Sequence, residues 1–323
     1  MHPQIRAVLE QQRFFKLICG ASYRNTAFIS TLARIFASAG AHVIDVGARP
    51  ELVEAVKQGL AAAELPHPDL PLIMVSVGVS QDAHFLRVKK DASRCVTHGY
   101  CANACPHGVF VPRPEGGHDL RLENCLGCDH CVIACPEDAL TLVPREPLAE
   151  LQSLLGDCFD AGARAVEVHT GHGDREELQT LLQALAPWRQ QIDLLAFSLG
   201  AHGQSDAELL ALARDLETLA GPDILIQADG QPISGRKGKK STLPCLNLAQ
   251  YLRQAGLSAY IQVSGGTNNL TGQLARELAV PIHGVGMGSF ARKHLELEPD
   301  EPVLSPERYA LALDRARELV HSV

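Results

Sequence analysis

Eight short apolar runs alternate with amphipathic helical stretches, split three and five by a cysteine-rich segment. This pattern predicts an α/β chain, a (β/α)8 TIM-like barrel with an insertion after its third strand. Each run is nearly continuous in hydrophobicity, as strands of a parallel sheet covered on both faces are. Eight strand–helix units need about 250 residues, and taking residues 81–144 out of the 323 leaves about that length. The barrel is therefore expected over residues 1–80 and 145–323, with the insertion over 81–144. A doubly wound open sheet with the same insertion holds the same eight strands and is the alternative.

The first strand is Lys16-Leu-Ile-Cys-Gly20. A helix follows with Phe28, Ile29, Leu32, Ile35 and Phe36 at three- and four-residue spacing. Asn25 or Thr26 can cap it, because a short side-chain oxygen accepts an orphan N–H there. Gly40 ends it, and His42 to Gly47 is the second strand. A helix from Glu51 to Glu64 leads through Pro66 and Pro68 to the third strand, Leu72 to Gly78. After the cysteine region the alternation resumes with a helix over 147–161 and strands Arg164 to His169, Ile192 to Ser198 and Asp223 to Asp229. Helices Glu176 to Trp188 and Asp206 to Ala220 separate them. A helix from Leu246 to Ala255 precedes the seventh strand, Ala259 to Ser264. A helix from Leu270 to Leu278 precedes the eighth, Val280 to Val285, and Pro306 to His321 closes the chain.

Hydrophobic residues make up 46% of the chain and charged residues 20%, with a net charge of −8. Broad attraction to nucleic acid or a membrane surface is not expected from that balance. No apolar run approaches the ~20 residues that span a bilayer, and the first residues lack the apolar core of a secretory signal. Clustered cysteines in a chain this long point to a reducing compartment. The expected protein is soluble and cytoplasmic.

Seven of the ten cysteines lie between Cys95 and Pro136. Cys125, Cys128, Cys131 and Cys135-Pro136 follow the C-x2-C-x2-C-x3-C-P spacing in which three cysteines hold one iron–sulfur cubane and the fourth reaches a second. The first run, Cys95, Cys101 and Cys105-Pro106, differs at one place, where His98 replaces a cysteine. Soft thiolates on a short turning backbone suit iron–sulfur clusters. A structural zinc pair would use similar cysteines, but this spacing is not that of a zinc ribbon. The expected insertion is ferredoxin-like, with two 4Fe-4S clusters. Cys105, Cys125, Cys128 and Cys131 hold one; Cys95, Cys101 and Cys135 hold the other, with His98 available to its fourth iron. Histidine ligation would raise the reduction potential, since imidazole is neutral. Otherwise that cluster lacks a fourth protein ligand, as a 3Fe-4S form or with one iron open to water.

Of the other cysteines, Cys158 sits in a helix as core packing, and Cys245, beside Pro244 at a helix start, reads either way. Cys19 ends the first strand, on the side where barrels place their active sites, though buried cysteine also serves as a small hydrophobe. The remaining strand ends are polar: Asp45 and Arg49, Ser76 and Gly78, Glu167 and His169, Ser198 and His202, and Asp229. The seventh and eighth strands end in glycine loops that carry Gly265, Gly266 and Thr267, then Gly286, Gly288 and Ser289. Loops in those places hold phosphate in many barrels, so flavin mononucleotide (FMN) or another phosphate-bearing ligand is expected there. The alternative is that these glycines only make tight turns. Arg236, Lys237, Lys239 and Lys240 read as a mobile lid over an anionic ligand, a dock for an acidic partner, or a solvated loop. The insertion leaves on the same face as this site, which would bring clusters and ligand within electron-transfer reach.

The cysteine run with His98 lies between Ile44-Asp-Val-Gly47 and two later stretches, Asp229-Gly-Gln-Pro-Ile-Ser234 and Ser264-Gly-Gly-Thr-Asn268. Together these resemble the cyanobacterial light-dependent period proteins over most of the chain. The resemblance implies an iron–sulfur protein that feeds cellular redox state into the circadian clock, with redox partners and clock proteins as associates. It transfers no catalytic residue. The residues themselves leave open an oxidoreductase passing electrons from the clusters to a flavin or phosphate-bearing substrate, and a non-catalytic scaffold with structural clusters.

Overall fold

In the computed structural model the chain starts with helix α1 (Pro3–Glu10), which lies across one end of a strand barrel. Described are residues 1–20, 23–66, 70–79, 82, 85–125, 127–144, 148–171, 173–200, 203–230, 238–299, 301 and 304–323. Three strand–helix steps come first: β1 (Phe14–Ile18), α2 (Thr26–Ser38), β2 (Val43–Gly47), α3 (Pro50–Ala62) and β3 (Leu72–Gly78). The insertion then contributes β4 (Leu86–Lys90), α4 (Tyr100–Ala104), β5 (Phe110–Pro112), β6 (His118–Leu120), α5 (His130–Ile133) and β7 (Leu140–Pro144). The alternation resumes as α6 (Leu148–Ala161), β8 (Ala165–His169), α7 (Arg175–Leu185), β9 (Leu194–Gly200), α8 (Asp206–Ala220) and β10 (Leu225–Asp229). It ends with α9 (Lys239–Gln254), β11 (Tyr260–Ser264), α10 (Thr271–Glu277), β12 (Gly284–Met287), α11 (Ser289–His294) and α12 (Pro306–Val320).

Eight strands close into a parallel barrel in the order β1, β2, β3, β8, β9, β10, β11, β12, and β12 returns to β1. Closure rules out the open sheet. Alternation along each strand sends one set of side chains into the barrel and the other into the helical layer. Phe15 and Leu17 therefore pack under α2, while Phe14 and Lys16 point inward. The lower interior is apolar, built from Phe14, Val43, Met74, Ala165, Leu194, Ala196 and Leu225. Ile5 and Leu9 of α1 seal it from below. The upper interior is polar, and adjoining strands bring its members side by side: Ser76 registers with Glu167, Ser198 with Gln227, and Gln227 with Gln262.

Local chemistry explains the helix starts. Asn25 Oδ1 accepts the Phe28 N–H at 3.0 Å, which opens α2. Ser205 and Glu208 form a reciprocal capping box on α8, and Ser305 caps α12 with Pro306 in its first turn. The helix expected from Leu246 begins instead at Lys239 and carries Pro244 inside it. Proline there removes one hydrogen bond, and the carbonyl left unbonded belongs to exposed Lys240. Cys245 is thus fully buried inside α9, with its thiol on the Thr242 carbonyl at 3.0 Å.

The insertion stands apart from the barrel sheet. Its first and last strands, β4 and β7, pair antiparallel from Leu86–Pro144 to Lys90–Leu140, and β5 with β6 forms a hairpin. Val88, Val109, Phe110, Ala139 and Leu140 make a small core shared with Cys125, Cys131 and Cys135. The two cysteine runs repeat one backbone course. Thr97, Gly99 and Gly108 all have positive φ, and so do their counterparts Gly127, Asp129 and Asp138. Left-handed residues at these places turn the chain around each cysteine set, two ahead of each of α4 and α5 and one after it.

Candidate functional site

Two cavities lie inside the insertion. One is lined by Cys95, His98, Cys101 and Cys135, with Phe110 and Leu140 among its apolar walls. The other is lined by Cys105, Cys125, Cys128 and Cys131, together with Val88 and His130. Each therefore gathers cysteines from both runs. The Val88 N–H reaches Cys125 Sγ at 3.3 Å, and His130 Nδ1 lies 3.3 Å from Cys128 Sγ. His98 stacks on Tyr100 with ring centroids 4.4 Å apart and takes the Tyr100 N–H on Nδ1 at 3.3 Å. Its Nε2 is buried and has no hydrogen-bond partner. This donor set, soft sulfur with one imidazole nitrogen, fits iron–sulfur ligation. A neutral imidazole binds metal through the nitrogen that carries no proton, so iron held by Nε2 would leave the ring's proton on Nδ1, which then no longer accepts the Tyr100 N–H.

The second constellation fills the upper barrel. Lys16 from β1 is fully buried and ion-pairs with Glu167 from β8, itself 1% exposed. Gln227 Nε2 donates to Glu167 Oε1 at 2.9 Å, and His169 Nε2 lies 3.3 Å from the same oxygen. Asp45 Oδ1 accepts the Ser76 hydroxyl at 2.6 Å. Asp229 stands 3.2 Å from Gln227 Nε2. Asp82, at the entry to the insertion, is 3.4 Å from His169 Nδ1. Three residues on, Phe85 packs edge-on against the His169 ring at 5.0 Å. Gly78 makes room for Phe85, since a Cβ at that position would overlap its ring. The insertion thus reaches into the barrel through Asp82 and Phe85, and its next strand carries the Val88 N–H on Cys125.

These contacts set the charge states. Burial, then the nearby Glu167 carboxylate, pushes Asp45 up to about 7. The same two causes push Asp229 up to about 6. Burial also raises the cost of ionising Glu167, but Lys16 and His169 outweigh it and hold the group below its usual range. Burial opposes the imidazolium of His169, yet the Asp82 hydrogen bond and the Glu167 charge raise it to about 9. Asp45, Asp229 and His169 all bind their protons more tightly folded than unfolded. Their contribution is complete below the unfolded values and fades as pH rises through the folded ones. For the carboxyls this window runs from about 4 up to the folded values, and for His169 from about 6.5 up to its own. Anaerobic denaturant midpoints are therefore expected to fall steadily from about pH 6 to pH 9, with His169→Gln flattening the upper part. A midpoint that rises over that range contradicts this assignment.

The structure sorts the other expected residues. Cys19 and Cys158 face the apolar layer between strands and helices, and burial pushes both thiols up to about 12. Cys19 is thus core packing, because its side chain takes the outward alternation of β1. Ser198 is buried in the barrel; Arg49 leads into α3. Gly265 and Gly266 both have positive φ, and close packing constrains them further. A Cβ on Gly265 would come within 2.7 Å of the Gly230 nitrogen, and one on Gly266 would overlap the Ser241 carbonyl. Thr267 turns its hydroxyl to the Gly286 carbonyl at 2.5 Å. Gly286 is buried in β12, and Gly288 and Ser289 open α11. Of the four cations read as one loop, Lys239 and Lys240 are in the first turn of α9, and Lys239 pairs with Glu277 at 3.1 Å. Arg236, Lys237 and His202 lie outside the described residues. Sequence reading missed Lys16, Gln227, Gln262 and Asp82. An inward strand position every second residue is the signal that finds the first three.

Residues 159–322 match the family described as Light dependent period A C-terminal domain, and residues 92–140 match the 4Fe-4S dicluster domain. The chain is similar to Light dependent period A of Synechococcus elongatus, with 34% identity over 314 residues, covering 93% of this chain and 86% of that one. Its cysteine-rich part is similar to Electron transport protein HydN of Escherichia coli K12, with 38% identity over 85 residues, 26% of this chain and 44% of that protein. The fold resembles 2-naphthoyl-CoA reductase, with a TM-score of 0.50 and 14% identity, covering 88% of this chain and 49% of that one. It also resembles ribulose-1,5-bisphosphate carboxylase/oxygenase from Pyrococcus horikoshii OT3, with a TM-score of 0.50, 11% identity, and coverage of 97% and 61%. At such identities the likeness concerns the fold alone. No described helix is long and apolar enough to cross a membrane.

Proposed function

The chain belongs to the light dependent period A family of iron–sulfur proteins, and from this premise we propose that it is a redox sensor reporting cellular redox state to the circadian clock. Cysteines 105, 125, 128 and 131 hold one cluster. Cysteines 95, 101 and 135 with His98 hold the other, whose potential the neutral imidazole raises. When bound, the clusters would supply one-electron redox chemistry, next to the Val88 N–H on Cys125 Sγ. The observation that carries the reading is that Asp82 and Phe85 both contact His169 in the barrel, and Phe85 adjoins the strand whose Val88 N–H meets Cys125 Sγ. A changed charge at that sulfur alters the pull on the Val88 N–H, and Phe85 carries the change to the His169 ring.

Hydrogen exchange of the holoprotein, oxidised and reduced, tests this. Amides from Phe85 to Val88 and around His169 are expected to change protection between the two states. Equal protection throughout would remove the sensor reading. The glycine-bearing ends of β11 and β12 favour a second reading, an oxidoreductase delivering electrons to a flavin or other phosphate-bearing substrate near Gly265, Gly266, Gly286, Gly288 and Ser289. A flavin released on denaturing the anaerobically purified protein would favour that second reading.

A further inference from the structure

The polar layer of the barrel contains a buried acceptor that the redox chemistry does not use. Its orientation follows from Glu167, which as a carboxylate can only accept. Gln227 Nε2 must therefore donate to it, which leaves Gln227 Oε1 as an acceptor. Gln262 Nε2 donates to that oxygen at 2.5 Å, and Gln262 Oε1 is left buried without a partner. Flipping either amide would set like against like. Among the described residues Gln262 is fully buried, and an acceptor held there without a donor is destabilising. Beside it β12 presents Gly286, where a Cβ would meet Ile18 at 3.2 Å and the Gln227 and Gln262 amides at 3.4 Å each, so no side chain of the strand reaches the orphan oxygen.

Among the described residues of this layer, the carboxylates Asp45, Glu167 and Asp229 outnumber the cations Lys16 and His169, and both cations are already engaged with carboxylates. We propose that the upper barrel binds a small molecule carrying a primary ammonium group, which donates to Gln262 Oε1 with Asp45 and Asp229 as its counter-charges. An ammonium has three donors and no acceptor, so it satisfies the orphan oxygen and the charge deficit together. Burial first, and the Glu167 charge second, raise the proton affinities of Asp45 and Asp229, and a bound cation would offset both. A phosphate would add to the negative charge. His169 and Asp229 are less buried than the groups below them, which puts the approach on their side.

The test titrates the holoprotein with ethylamine, with ethanol as the uncharged isostere and inorganic phosphate as the anion. Ethylamine is expected to bind and raise the unfolding midpoint, and neither control should do so. Gln262→Leu and Asp229→Asn should each weaken ethylamine binding about tenfold or more. The second variant, at the less buried rim, serves if the first does not fold. Three results would overturn the proposal: no ethylamine binding at about 10 mM, equal binding by wild type and variants, or binding of phosphate in place of the amine.

Discussion

On the proposed two-cluster assignment, Cys131→Ala is expected to empty one cavity and leave the other filled, with bound iron falling to about half, from about eight atoms to about four. Cys135→Ala is expected to give the same iron count but to remove the other cluster. Although Cys135 stands in the second run, its side chain lines the cavity of Cys95, His98 and Cys101. The two variants should therefore lose different electron-paramagnetic-resonance signals. The signal left in Cys131→Ala should move to lower potential when His98→Cys is added, because thiolate brings a charge that imidazole lacks. A common lost signal, or iron unchanged in both variants, would break the crossed assignment. The effect on the fold is large as well. The insertion's small core has Cys125, Cys131 and Cys135 among its buried members, so metal-free protein should lose protection there while the barrel strands stay protected.

Lys16→Met is expected to destabilise the barrel by about 3–5 kcal/mol, the cost of leaving a buried carboxylate without its partner. Set against the 5–15 kcal/mol that holds a typical domain together, this is a large fraction. Gln227 and His169 still contact Glu167 in that variant, so the loss isolates what the charge contributes. Adding Glu167→Gln to Lys16→Met removes the stranded charge and should recover much of the stability. Anaerobic denaturant titration of both variants measures this. A single-variant cost below about 1 kcal/mol would mean that the pair is effectively solvated.

The barrel was legible in the sequence because its strands are buried on both faces, and unbroken apolar runs need no partner information to be recognised. The 4Fe-4S dicluster domain was legible because its cysteine spacing is a local pattern. The polar heart of the barrel was not. Lys16 sits inside an apolar run, and its inward direction depends on closure, which only all eight strands together produce. Gln227 and Gln262 meet because β10 and β11 are in register, a fact absent from either segment alone. Asp82 was hidden differently: it lies outside any periodic element, and its partner His169 is far along the chain. The start of α9 was obscured by its charged first turn and by Pro244, both of which read as loop. The glycines at 265 and 266 read as a phosphate loop, yet contact with Gly230 and Ser241 is enough to require them.

Helix α1 gives the molecule a direction. It is tied across the foot of the barrel by His2 to the Asp193 carbonyl at 2.7 Å and by Arg6 to Asp223 at 2.7 Å. Ile5 and Leu9 stop the lower end from within. Whatever exchanges with the polar chamber does so at the opposite rim, where Asp82 and Phe85 are stationed. If the chamber takes the proposed guest and the insertion the proposed clusters, passage and electron state would share one doorway, and both would be sensed by the same few side chains.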